Sequence, residues 1–238
     1  MENFTKESQT QNYSGIWRKV GRSILGLAIL FAFAITANAQ TIVIGTGTSN
    51  TNGTAADAVG DYYNSEHYQI LWTAAELTTA GLSAGDQLTS IGFSITEVAG
   101  TLANYTVQMA HTTNATASVG YVTAGLTTVV PAFSYTPTLT AAGVFDVINF
   151  TTNFTWDGTS NIIVDFCTGN ANPYSSPYGG YRYTASTNNV RYRRSDGSTS
   201  CGVAPTSTTI KRPNVQFGTY TPPLCTGTPN NGTVAIDQ

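Results

Sequence analysis

The densest chemistry in this 238-residue sequence lies toward its C-terminal third. From Ser23 to Tyr181 there is no Lys or Arg; then come Arg182, Arg191, Arg193, Arg194, Lys211 and Arg212, interleaved with or flanked by Tyr174, Tyr178, Tyr181, Tyr183 and Tyr192. Tyrosine offers a flat apolar ring with a polar tip, and an Arg fork matches carboxylates and hydroxyl-rich groups. In an extended segment Arg191 and Arg193 share one face and Tyr192 takes the other. One reading is a glycan or acidic-polysaccharide site built from Tyr178, Tyr181, Arg182, Tyr183, Arg191 and Arg193. The other is a strand pair whose Arg side chains meet scattered acids and whose Tyr rings flank the core. The Pro/Tyr/Ser-rich stretch 170–180 is expected to be an exposed loop, the usual carrier of recognition.

Hard oxygen ligands cluster in two places. Asp57, Asp61, Asn64 and Glu66 fall in one stretch, and Asp157, Ser160 and Asn161 in another. Carboxylates with backbone carbonyls can hold a structural Ca²⁺, although neither spacing is that of an EF-hand. The competing expectation is plainer: Asp157-Gly158 makes a turn, and the acids at 57–66 are solvated. No other cofactor is expected.

Catalysis finds little support. Beyond the leader the histidines are His67 and His111, and there is no HExxH for a zinc hydrolase. His67 and its neighbour Glu66 point to opposite faces if the segment is a strand. His111 reads as a surface residue at a strand end. A carboxylate pair for glycoside hydrolysis leaves no trace in linear spacing, and nothing singles out one pair.

The elements that position these residues read as β. Ile91, Phe93 and Ile95 alternate with small residues, and Tyr105–Ala110 repeats the pattern. Further strand-like runs are 41–44, 68–72, 127–130, 144–150, 162–166, 180–184, 190–193 and 214–217, punctuated by Gly- and Asp-rich turns. Residues 45–65 read as a long surface loop. One helix stands out near residues 73–80: Thr73-Ala74-Ala75-Glu76 is a capping box, and Gly81 suits its end. The fold class is therefore all-β, a β-sandwich or jelly roll with one short helix.

Residues 1–39 read as a secretory leader, with Arg18, Lys19 and Arg22 before an apolar run, Ile24–Ile35. Cleavage is expected between Ala39 and Gln40. The apolar run is too short to span a bilayer, which takes about 20 residues as a helix. The remaining chain carries six basic and eleven acidic residues, which argues against nucleic acid. Residues 40–219 are expected to form the sandwich. Residues 220–238 read as a linker followed by the start of another module that continues past Gln238. In an exported chain, Cys167, Cys201 and Cys225 are disulfide material, and the odd count leaves one without a partner.

Four blocks carry a resemblance: Ser65–Ile95, Phe154–Val164, Arg191–Cys201 and Arg212–Val215. Together they resemble an N-terminal β-sandwich module, similar to jelly-roll lectin-like domains, of large exported Bacteroidota proteins. Such modules precede immunoglobulin-like or fibronectin type III repeats and a type IX secretion sorting domain. The resemblance implies a secreted or cell-surface protein on the exterior of the outer membrane. The expected partners are a glycan, on the Tyr and Arg residues above, or another surface protein, beside the downstream domains of the same polypeptide. The resemblance also implies that Cys167 pairs with Cys201, leaving Cys225 for a cysteine beyond Gln238. Two further roles fit the same outline: a spacer domain without a ligand, or an accessory domain of a secreted hydrolase.

Overall fold

The computed structural model describes residues 39–51, 57–169, 174 and 176–222. The expected leader before Ala39, Cys225 and the expected following module lie outside the described residues.

Apolar residues spaced by two create faces that must be covered. They form two antiparallel sheets packed face to face. The smaller has the order β1-β12-β4-β8, with β1 Ala39–Ile44, β4 Gln87–Phe93, β8 Asp146–Thr155 and β12 Val215–Tyr220. The larger runs β11-β10-β3-β9-β6-β7. Its strands are β3 Ser65–Trp72, β6 Leu102–Thr112, β7 Thr127–Tyr135, β9 Asn161–Cys167, β10 Gly180–Ser195 and β11 Ser207–Pro213. The short β2 (Ser49–Asn50) and β5 (Ile95–Glu97) attach to β10. Register sets the core. Tyr68, Ile70 and Trp72 lie opposite Phe166, Val164 and Ile162, all at 2 % exposure or less. Ile91 and Phe217 face them from the other sheet, and Phe217 meets Trp72 edge-on at 5.5 Å. The sandwich class read from the sequence is the class observed. Among the described residues no helix is long and apolar enough to cross a membrane.

The chain's two described ends meet in one ladder. Ala39, the expected last leader residue, pairs with Tyr220, and Gln40 pairs with Thr219.

The helix α1, Ala74–Thr79, is short and is held by its cap and by one buried residue, Leu77. Thr73 accepts from the Glu76 backbone N–H at 3.2 Å, while Glu76 accepts from the Thr73 N–H at 2.9 Å. Leu77 is fully buried, and Gly81 ends the helix at φ 106°. Arg212 at the end of β11 grips Glu76 with both terminal nitrogens. Burial opposes charge on Glu76, but Arg212 and Thr73 outweigh it and hold the carboxyl below its usual range. Replacing Thr73 with Ala removes one half of the cap and is expected to cost about 1 kcal/mol, read as a lower urea midpoint with unchanged slope.

The larger sheet is covered on its outer side. Every residue of β3 is buried, and β9 is nearly so. Residues 113–126 cover Leu71, Ala110 and Ile163 with Ala117, Val122 and Leu126. Residues 196–206 cover the neighbouring strip and are fastened by the Cys167–Cys201 disulfide, whose Cα atoms are 5.5 Å apart. One expectation is corrected: the stretch 45–65 is not a surface loop throughout. Thr51 and residues 57–61 are buried, because they close one end of the sandwich. There the Asp61 N–H donates to Tyr178 O at 3.0 Å, and the Tyr105 hydroxyl donates to Ala58 O at 3.0 Å.

Candidate functional site

The acids expected to be solvated are interior groups: Asp57, Asp61 and Glu66 are each at most 1 % exposed. Asp57 accepts from the Val59 N–H at 3.1 Å and from the Thr51 hydroxyl. Asp61 accepts from the Gly100 N–H at 2.8 Å. The Tyr68 hydroxyl donates to Glu66 and accepts from the Asp57 N–H, each at 2.5 Å. Burial pushes the Glu66 carboxyl well above its ordinary value; the Tyr68 hydrogen bond opposes this and the Asp57 charge adds to it. These acids tie Thr51 and residues 57–61 to their surroundings. Among the described residues no group of three His, Cys, Asp or Glu side chains is placed to hold a metal ion. The second stretch is the expected turn: Asp157 accepts from the Thr159 and Ser160 N–H groups at 2.9 and 2.8 Å.

Both histidines contact protein groups. His67 Nδ1 lies 2.8 Å from Val203 O, and Nε2 lies 2.8 Å from Asp165 Oδ2. Both partners are acceptors, an environment that favours the charged ring, with a proton on each nitrogen. Burial works against that charge, but the Asp165 hydrogen bond and charge outweigh it and raise the pKa above 6.5. Asp165 also accepts from Gln69 at 2.8 Å, and Gln69 accepts from the Val122 N–H at 3.0 Å. The network thus ties both covering loops to the sheet. His111 Nε2 accepts from the Asp157 N–H at 3.3 Å. Gly81-Leu82-Ser83-Ala84-Gly85 has the G-x-S-x-G spacing of a hydrolase nucleophile turn, a match that sequence reasoning missed. Here it follows α1 in a loop, where the Ser83 N–H donates to Asp86 at 2.8 Å, and the strand–turn–helix context of such a turn is missing.

The six residues of the expected glycan site are dispersed. Tyr181 is a core residue, 0 % exposed, with its hydroxyl donating to Lys211 O at 2.9 Å. Tyr183 packs against the core edge. Arg191 reaches Pro205 O at 2.7 Å beneath the 196–206 loop, and Arg193 lies opposite His67. Arg182 sits in a separate cavity. Only Tyr178 belongs to an aromatic surface group.

That group is assembled by the β3–β10 register. Ser65 pairs with Ser195 and Glu66 with Arg194, which brings residues just before β3 beside those ending β10. Tyr62 stands at its centre, edge-on to Tyr63, Tyr174 and Tyr178 at 4.9, 5.3 and 4.8 Å between ring centroids. Tyr174 and Tyr178 are 5.4 Å apart. Arg194 lies over Tyr63 at 4.4 Å and near Tyr192 at 5.6 Å. The Asn64 side-chain amide donates to Asp196 O at 2.8 Å, fixing the rim. Tyr62, Asn64, Tyr174 and Asp196 line an open recess of about 330 Å³. The Tyr174 charge, before any other cause, raises the Tyr62 pKa, so this phenol stays neutral near pH 7. Apolar ring faces with neutral hydroxyls, an amide and a carboxylate suit a ligand bearing both C–H faces and hydroxyls. Sequence reasoning missed Tyr62, Tyr63 and Asp196 and took Asn64 only as an oxygen ligand for Ca²⁺; the available signal was Tyr62-Tyr63-Asn64 directly before a strand.

Comparison of this chain with family models, with curated proteins and with solved structures finds no match.

Proposed function

We propose that this chain is a secreted or cell-surface carbohydrate-binding or adhesion module, non-catalytic, that works as one part of a longer polypeptide. The observation that carries this reading is the surface group of Tyr62, Tyr63, Tyr174 and Tyr178, rimmed by Asn64, Arg194 and Asp196. Aromatic rings on a monomer's surface are costly to leave in water and repay a ligand that covers them. The disulfide supports an oxidising compartment. The resemblance to Bacteroidota exported modules supports the outer-membrane exterior as its address. Engagement of both histidine rings by protein groups supports the absence of acid–base chemistry.

A glycan array with the leaderless protein tests the reading. At least one glycan is expected to bind, and Tyr62→Ala and Tyr178→Ala are each expected to weaken it roughly tenfold, about 1.4 kcal/mol. Absence of binding to every glycan, or binding indifferent to both substitutions, would overturn it.

A further inference from the structure

We propose that the cavity around Arg182 is a second binding site, for a monosaccharide unit that carries a carboxylate. The cavity measures about 290 Å³, room for one pyranose ring and its acid group, and shares no lining residue with the tyrosine recess. Arg182, Ser94, Asn214, Phe145, Thr46 and Thr48 contribute to its lining.

The charge is what calls for a ligand. Arg182 is half-buried, and the hydrogen bonds of its guanidinium both leave from Nη1, to Ser94 Oγ at 3.0 Å and Thr140 O at 3.3 Å. Nε and Nη2 have no acceptor among the described residues, and no carboxylate among them lies within ion-pair distance. Arg212, by contrast, is matched by Glu76. A guanidinium has five N–H donors in a planar fork, and a carboxylate is the partner whose two oxygens fit it. A charge drawn partly out of water without a counter-charge is unfavourable until such a partner arrives.

The walls are fixed rather than adaptable. The Arg182 N–H donates to Ser94 O at 2.8 Å, and its carbonyl accepts from the Asn214 N–H at 3.0 Å. Asn214 donates to Gly47 O at 2.7 Å and accepts from the Thr184 hydroxyl at 2.7 Å. A Cβ on Gly47 would stand 2.0 Å from Tyr183 O, so only glycine lets this wall lie so close to β10. A bare anion would need the Arg alone. The half-buried Phe145 ring and the exposed Thr46 and Thr48 add an apolar face and hydroxyl partners, which suit a sugar ring behind the acid.

The proposal stands whether or not the tyrosines bind. Titration of the leaderless protein by ¹H–¹⁵N NMR with glucuronate, N-acetylneuraminate, glucuronate methyl ester, glucose and acetate tests it. At least one of the two sugar acids is expected to shift the amides of Arg182, Ser94 and Thr46–Thr48 saturably, at least tenfold more tightly than ester, glucose or acetate. Arg182→Gln is expected to lose tenfold or more, and Tyr62→Ala to change nothing. Equal binding of the ester, glucose or acetate, no saturable shift with either acid, or wild-type affinity in Arg182→Gln would overturn it. The ester comparison uses unaltered protein and holds even where Arg182→Gln folds poorly.

Discussion

Removing the Cys167–Cys201 disulfide, by a Cys167→Ala/Cys201→Ala double variant, is expected to lower the unfolding free energy by about 3–4 kcal/mol. The bond joins residues 34 apart in sequence, and the chain-entropy cost of closing such a loop is then restored to the unfolded state. Its place adds a second effect. The bond holds residues 196–206 down over β3, where Val203 O receives the His67 proton and Pro205 O receives Arg191. Loosening that segment lets water reach groups that have no other partner on that side. For a domain of this size the change corresponds to a fall of roughly 10 °C in Tm. Calorimetry of the variant, and of the wild type under reductant, should give the same drop. An unchanged Tm in both would show that the loop stays down without its crosslink.

Asp165→Ala is expected to cost about 3 kcal/mol, because it leaves the buried His67 ring and the Gln69 amide without their shared acceptor. His67 and Asp165 side chains are 1 % and 5 % exposed, so water cannot replace the lost partner cheaply. The pH dependence identifies the cause. The folded pKa of His67 is raised above 6.5, so its stabilising contribution is complete below pH 6.5 and is lost as pH rises through the folded value. Glu66 adds in the same direction: its raised pKa favours the folded state most at low pH, and that advantage fades as pH climbs above 4.5 through the folded value. Glu76 works oppositely, since its lowered pKa gives stability above pH 4.5 that is lost as pH falls through the folded value. Denaturant melts between pH 6 and 9 should therefore show wild type weakening with rising pH. The slope should be smaller in Asp165→Ala. A wild type that grows more stable over this range would contradict a protonated His67.

Local chemistry made some elements legible and left others hidden. The Thr73–Glu76 cap and the alternation of Ile91 and Phe93 are short-range facts, and both lie where they were expected. Residues 180–184 and 190–193 read as two strands but form one, β10, with a break in its pairing to β11 between Ala185 and Val190 and Asn188 at φ 64°. Strand β11 was missed because Ser207–Pro213 is polar and its only buried members are Arg212 and Pro213. The burial of Asp57, Asp61 and Glu66 was illegible for a different reason. An acid in a Gly- and Asn-rich stretch looks solvated until the amides that receive it, from Val59 and Gly100, are brought into place by the fold. The tyrosine group depends wholly on register. Tyr62 and Arg194 are far apart in sequence, and a shift of one residue in the β3–β10 pairing would turn β3 over and separate them from a common surface.

The pairing of β1 with β12 has a mechanical consequence. Ala39 and Tyr220 are opposite each other at the same end of an antiparallel ladder, whose hydrogen bonds run perpendicular to the strands. Tension applied through these two points loads the bonds one at a time, like a zipper, rather than all together as in shear. Under pull, β1 would peel away first and lengthen the tether at low force. The larger sheet, with its crosslink at Cys167 and Cys201, lies outside the line of that first rupture.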